Sequence, residues 1–185
     1  MWLKRFTPQN IVIGGAAGAL PPVIGWAAAS GHAPANAWLL FLIIFLWTPP
    51  HFWALSLYTS SDYAKAGVPM MPVARGARST RRQILLYSLV FLPAAIAPAF
   101  TGLGGPAYLA TAVIGGAVFL LLAVRVALSR AGDAEEARED GLYDVKVDAK
   151  PARNLFAGSI LYLFLLFAAL LGEHLLGVHP LVFGR

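Results

Sequence analysis

The residues best suited to chemistry lie in one segment, Trp47 to Arg82, which reads WTPPHFWALSLYTSSDYAKAGVPMMPVARGARSTRR. It contains one histidine, His51, and one carboxylate, Asp62, and five basic residues follow that carboxylate. A carboxylate beside several cations suits Mg²⁺ and a diphosphate, because Mg²⁺ takes one or two carboxylates together with phosphate oxygens, and Lys and Arg neutralise phosphate charge. Asp62 is therefore the candidate catalytic and metal-binding residue. Lys65 and Arg81 are the candidate diphosphate-binding residues.

The composition indicates a protein that crosses a membrane several times. The 185 residues are 58% hydrophobic and 12% charged, whereas a soluble domain carries about 25% charged residues. Five apolar segments are long enough to cross the bilayer, and backbone polar groups in lipid must be paired within their own segment. The sequence thus predicts an all-α polytopic membrane helical bundle. Its spans lie near 11–29, 37–58, 83–101, 107–128 and 155–176.

Several local patterns refine this picture. Pro21 and Pro22 should kink the first span, and the spacing of Thr80 and Gln83 predicts a capping box at the start of the third. The continuous last span reads as an outer scaffold helix. The connection 129–154 carries dense charge of both signs and reads as a solvated loop. The absence of cysteine excludes disulfides, thiolate zinc sites and a cysteine nucleophile.

His51 lies inside the second span. With helix from Ala37 onward, it sits roughly 20 Å into the membrane at 1.5 Å per residue. An ionisable residue at such depth indicates a functional site, although a kinked helix with a histidine bonded to a neighbour is an open alternative. Helical spacing places His51, Leu55, Tyr58 and Asp62 on one face, provided that the helix continues past Tyr58.

The basic residues predict an orientation. Thirteen of the 14 Lys and Arg residues fall before the first span, after the second, or around the fourth connection, which five spans place on one side. Basic residues favour the cytoplasmic side, so we expect a cytoplasmic N-terminus and a periplasmic C-terminus in the cell inner membrane. The net charge of +5 then reflects orientation, and no nucleic-acid partner is expected. Topology alone could also explain the basic loop after Asp62.

Five stretches resemble the UbiA-like intramembrane prenyltransferases, and within that family the members that farnesylate haem. They are TPQNIVIGGAAGALPPVIGW, LWTPPHFWALSLY, DYAKAGVPMMPV, TRRQILLYS and LFAGSILYLFLLFAALL. The resemblance implies a nine-span bundle in which two acidic motifs and Mg²⁺ bind a prenyl diphosphate. It also implies transfer of farnesyl from farnesyl diphosphate to the vinyl group of haem b. Asp62 matches the second acidic motif, and His51, at the depth of an apolar ring, is the haem-binding candidate.

The first acidic motif of the family lies in its second span, which this sequence lacks. The five spans match the last five of nine, so we expect residues 1–185 to be the C-terminal part of one prenyltransferase domain. Its partners would be the missing N-terminal half, the lipid bilayer and both substrates, and we expect it to be inactive alone. Many relatives carry two adjacent acidic residues where this chain has Ser61-Asp62.

Two other functions fit the same residues. A non-catalytic haem-binding assembly factor could use His51 as an axial ligand. A transporter half would also contain broken helices with a polar residue near the midplane. Retention of haem without farnesyl transfer would favour the first, and substrate flux in proteoliposomes would favour the second.

Overall fold

A computed structural model describes residues 10–60, 70–133 and 149–178. All regular structure in these residues is helical, and five helical stretches are long and apolar enough to cross a membrane, as predicted. The helices are α1 (Asn10–Ala19), α2 (Pro21–Ser30), α3 (Ala35–Tyr58), α4 (Met71–Arg75), α5 (Ala77–Ile96, continued by a 3-10 turn, Ala97–Ala99), α6 (Pro106–Leu128) and α7 (Lys150–Leu175).

Prolines divide the first span but not the second. Pro21 and Pro22 occupy the first positions of α2, so the predicted kink is a break between α1 and α2 at Leu20. Pro49 and Pro50, in contrast, lie inside an uninterrupted α3. Because proline has no N–H, α3 lacks two backbone hydrogen bonds one turn before these residues. The irregularity is buried, since both prolines are buried.

The third span begins earlier than predicted. α5 starts at Ala77, so Arg81 lies in its second turn and not at the mouth of a loop. The predicted capping box is wrong: the cap position is Gly76, and the Thr80 hydroxyl donates to the Gly76 carbonyl at 3.0 Å. Hydropathy marks where a helix enters lipid, whereas arginine favours helix and extends it into water.

α3 is the central helix, and it packs against α1, α2, α5 and α7. α6 packs against both α5 and α7. The last span, α7, buries one stripe that includes Leu155, Ser159 and Leu166, and only 22% of its most apolar stretch is buried, which agrees with an outer position. Close approach of α6 and α7 depends on glycine. A Cβ atom on Gly115 would lie 2.6 Å from the Tyr162 ring.

A carboxylate from α7 caps the first turn of α6. Glu173 is 6% exposed and accepts hydrogen bonds from the backbone N–H groups of Gly105, Ala107 and Tyr108 at 2.6, 2.6 and 3.0 Å. Pro106 has no N–H, so the carboxylate pairs every donor that the start of α6 leaves open. A negative charge is also favourable at a helix N-terminus. Glu173 thus joins the end of α7 to the beginning of α6.

We expect Glu173→Gln to lower the free energy of unfolding by about 2 kcal/mol, because hydrogen bonds to charged groups contribute roughly 1.5–3 kcal/mol. Unfolding of the purified chain by dodecyl sulfate in detergent micelles, followed by circular dichroism, measures this change. His174→Gln is the matched control, since His174 is the exposed neighbour of Glu173. Equal stability of the two variants would show that the cap contributes nothing.

Candidate functional site

His51 lies between two aromatic rings where α3 meets α7. Its ring stacks on Trp47 with centroids 4.2 Å apart and on Phe156 with centroids 4.6 Å apart, at interplanar angles of 17° and 22°. The side chain is 7% exposed. Trp47 and His51 are four residues apart on α3, so they share one face of the helix. Both faces of the imidazole are therefore covered, and only its edge can contact another group.

Polar contacts hold the same region together. The Nδ1 atom of His51 lies 2.7 Å from the hydroxyl of Ser159, and the indole N–H of Trp47 donates to the Ser159 carbonyl at 2.9 Å. Sequence reasoning missed Ser159 and Trp47. A serine in an apolar helix usually bonds its own backbone, and nothing in its spacing indicates a partner 108 residues away.

The face that was predicted to run from His51 to Asp62 is only partly buried. His51 is buried, Leu55 is half-buried, and Tyr58 is 45% exposed. α3 ends at Tyr58. Asp62 and Lys65 lie outside the described residues, so their roles remain predictions.

Two apolar grooves flank Trp47. One has a volume of about 640 Å³ and runs along α7, where Leu163 and Phe167 are among its walls. The other has a volume of about 420 Å³ and lies between α1 and α3, lined in part by Gly18 and Phe52. His51 lines neither groove. Trp47 thus lines both grooves.

Arg81 is buried and bonded at the end of the bundle where α3 finishes. Its guanidinium donates to the Ala131 carbonyl at 2.6 Å and to both carboxylate oxygens of Asp133 at 2.8 and 3.2 Å. The side chain of Arg81 is 8% exposed and that of Asp133 is 30% exposed. This pair fastens the segment after α6 to the second turn of α5. The beginning of the charged connection is therefore docked and not simply a solvated loop.

The segment after α6 also packs against the end of α3. Gly132 adopts φ of 78°, a left-handed conformation that favours glycine. A Cβ atom there would lie 2.7 Å from the Leu57 side chain. The end of α3, the start of α5 and the segment after α6 thus meet at one end of the bundle.

The described residues do not by themselves fit a Mg²⁺ site. No group of three or more potential metal ligands occurs within 10–60, 70–133 and 149–178. The acidic residues in those ranges are Asp133, which is paired with Arg81, and Glu173, which caps α6. A Mg²⁺ site would need Asp62 and carboxylates from outside the described part of the chain.

These features define a class of protein: a polytopic helical membrane protein with a polar aromatic cluster inside the bundle and basic residues at one end. Residues 1–145 match the model of the UbiA prenyltransferase family, and the chain belongs to that family.

Curated relatives are similar over nearly the whole chain. Three of them are called protoheme IX farnesyltransferase, from Caulobacter vibrioides (68% identical, 98% of this chain), Maricaulis maris (62%, 100%) and Parvibaculum lavamentivorans (53%, 96%). The matched part is 56%, 56% and 52% of their respective lengths. The chain thus spans about half the length of the curated relatives it matches. No solved structure matches the chain.

Proposed function

We propose that the chain forms part of an enzyme that transfers a farnesyl group from farnesyl diphosphate to the vinyl group of haem b, giving haem O. The observation that carries this proposal is the 68% identity to the Caulobacter vibrioides protoheme IX farnesyltransferase over 98% of the chain. In the reaction, the bond between the allylic carbon and the diphosphate oxygen breaks. The electron pair of the vinyl group then forms the new carbon–carbon bond to that allylic carbon, and diphosphate departs with the electrons of the broken bond. Water adds to the cation left beside the haem ring and loses a proton, which leaves a hydroxyl group on the side chain.

The charged end of the bundle is the proposed diphosphate site. Asp62 would bind Mg²⁺ bridged to the diphosphate, with Lys65 beside it, and cationic groups would stabilise the negative charge of the leaving group. Arg81 is at this end as well, but its guanidinium is already paired with Asp133. Its role in diphosphate binding therefore requires sharing or exchange of that partner. Mg²⁺ also requires the carboxylates that relatives carry outside the matched region.

Haem b would bind toward the interior of the bundle, where His51 lies among aromatic rings. The ring nitrogens of histidine can ligate iron. Stacking on Trp47 and Phe156 keeps the imidazole in one orientation. These contacts support His51 as the haem-binding residue.

We also propose that the protein lies in the cell inner membrane with a cytoplasmic N-terminus, on the strength of the asymmetry in Lys and Arg.

We propose that the two grooves beside Trp47 are packing sites for helices. These helices would correspond to the part of the relatives that this chain does not match. Gly14 and Gly18 support this placement, because both are exposed and a Cβ atom on either would meet nothing within 4 Å. Gly15, by contrast, already packs against Thr48 on α3. Small residues on an open helix face let another helix approach closely in a membrane. Residues 1–185 would then form the C-terminal part of one larger domain.

Farnesylation of haem tests the function directly. The chain is expressed alone, together with the unmatched N-terminal portion of the Caulobacter vibrioides relative, and as a fused protein of that portion followed by this chain. We expect no product from the chain alone, some from the two polypeptides together, and most from the fused protein. Haem extracted from membranes is analysed by liquid chromatography and mass spectrometry. The proposal fails if the fused protein leaves haem unmodified while the intact relative converts it.

A further inference from the structure

The hydroxyl of Ser159 has one proton and two polar neighbours. It lies 2.6 Å from the carbonyl oxygen of Phe156 and 2.7 Å from Nδ1 of His51. A carbonyl oxygen can only accept, so the hydroxyl proton must point to Phe156. The contact with His51 then requires a proton on Nδ1, which donates to the Ser159 oxygen. In neutral imidazole the second nitrogen, Nε2, is left without a proton.

Aromatic rings surround the imidazole and restrict its orientation. Trp47 and Phe156 cover the two faces of His51, and Phe52 meets it edge-on with centroids 5.1 Å apart. Trp47 also binds the backbone of Ser159 itself, through its indole N–H. The hydroxyl that accepts from His51 and the ring that stacks on His51 are thus fixed to each other.

Other buried serines lack this second contact. Ser88 and Ser56 are fully buried, as Ser159 is. Ser88 donates to the carbonyl of Ile84 at 2.7 Å, and Ser56 donates to that of Trp53 at 2.9 Å, each within its own helix. Burial and an intrahelical bond are therefore common to all three residues. Among the three hydroxyl groups, only that of Ser159 has a second polar contact, with His51.

We propose that Ser159 is a positioning residue that holds His51 in the Nδ1–H tautomer and leaves Nε2 as a fixed electron-pair donor. In the proposed function, on which this last step rests, the iron of haem b is the acceptor. Histidines that bind metals usually donate their other ring N–H to a nearby acceptor, which fixes the tautomer and strengthens the ligand. Ser159 supplies that acceptor from a different helix, so ligation by α3 depends on the docking of α7.

The tautomer can be measured without haem. The chain is labelled with [15N]histidine in phospholipid bilayers, with His32, His174 and His179 replaced by glutamine, and nitrogen NMR identifies the protonated nitrogen of His51. We expect the proton on Nδ1. Ser159→Ala should shift it wholly or partly to Nε2, whereas Ser159→Thr and the control Ser88→Ala should not. A proton on Nε2 in the chain with Ser159 intact, a result that does not depend on the folding of any Ser159 variant, overturns the proposal. An unchanged spectrum in Ser159→Ala does so as well.

Haem titration separates the positioning role from the proposed function. Ferric haem b is added to the chain in detergent, and its absorption spectrum reports axial ligation. Ser159→Ala should weaken binding about ten- to hundredfold, as loss of a partner to a ligating histidine does, and His51→Ala should remove the ligation spectrum. If the tautomer is as expected but His51→Ala binds haem equally well, His51 is not the haem ligand and the proposed function loses that contact. The role of Ser159 toward His51 would still stand.

Discussion

Replacing Asp62 with asparagine in the fused protein is expected to lower farnesyl transfer to haem at least about a hundredfold, the scale of losing one electrostatic stabiliser at a reacting centre. Asp62 is the only acidic residue in the first 132 positions of the chain. No other carboxylate between the second and third spans could therefore replace it in binding Mg²⁺ and diphosphate. The asparagine side chain has nearly the same size, so the change tests charge and not volume. Rates with saturating farnesyl diphosphate and haem b measure the effect.

Asp133→Asn is the matched control for Asp62, because it removes a carboxylate that the structure places in an ion pair with Arg81. It should reduce stability and leave the rate per folded molecule close to that of the parent. Lys65→Ala should raise the concentration of farnesyl diphosphate needed for half-maximal rate. Near-normal farnesyl transfer by the Asp62 variant would reject Asp62 as a metal ligand.

Among the substitutions proposed here, those that break the Arg81–Asp133 pair should lower the free energy of unfolding most. Removing one partner of a buried ion pair costs about 3–5 kcal/mol, and the two single changes should differ. Asp133→Ala leaves a guanidinium that is 8% exposed without its partner, whereas Arg81→Ala leaves a carboxylate that is 30% exposed and can be hydrated. We therefore expect Asp133→Ala to cost about 3 kcal/mol and Arg81→Ala less. Unfolding by dodecyl sulfate in detergent gives both values.

The same two variants decide whether Arg81 also binds diphosphate. If it does, Arg81→Ala in the fused protein raises the half-saturating concentration of farnesyl diphosphate, while Asp133→Ala, which frees the guanidinium, does not. If Arg81 only fastens the end of the bundle, the two variants change that concentration equally. Arg130→Ala is a control for the weaker partner of Asp133, since the Arg130 side chain is 82% exposed and its Nε atom lies 3.9 Å from Asp133 Oδ2.

The sequence was informative about spans because the bilayer imposes a length and a composition on each one. All five spans were predicted, and the kink predicted at Pro21 and Pro22 is a break between two helices at Leu20. The start of α5 was misplaced because Arg78, Arg81 and Arg82 continue the helix beyond the apolar segment. Hydropathy does not predict where a helix ends once it has left the membrane.

Candidate chemistry was predictable only where a residue type was unusual for its surroundings. His51 inside an apolar span stood out for that reason. Asp133 did not, because it is one of several acids in a charged connection, and its partner lies 52 residues earlier. Ser159 likewise gave no signal, since its importance comes from the packing of α7 on α3. Contacts between distant segments depend on packing that local patterns do not encode.

The carboxylate of Glu173 also sets an order of assembly. Translation delivers α6 before α7, so the first amide groups of α6 emerge from the ribosome with no acceptor of their own. An unpaired backbone group is costly in hydrocarbon, and this end of α6 must stay in contact with water until the last helix arrives. The first turn of α6 therefore reaches its final hydrogen bonding only once Glu173 has been synthesised. A nascent chain released before that residue keeps an open helix end, a defect that cellular proteases can act on.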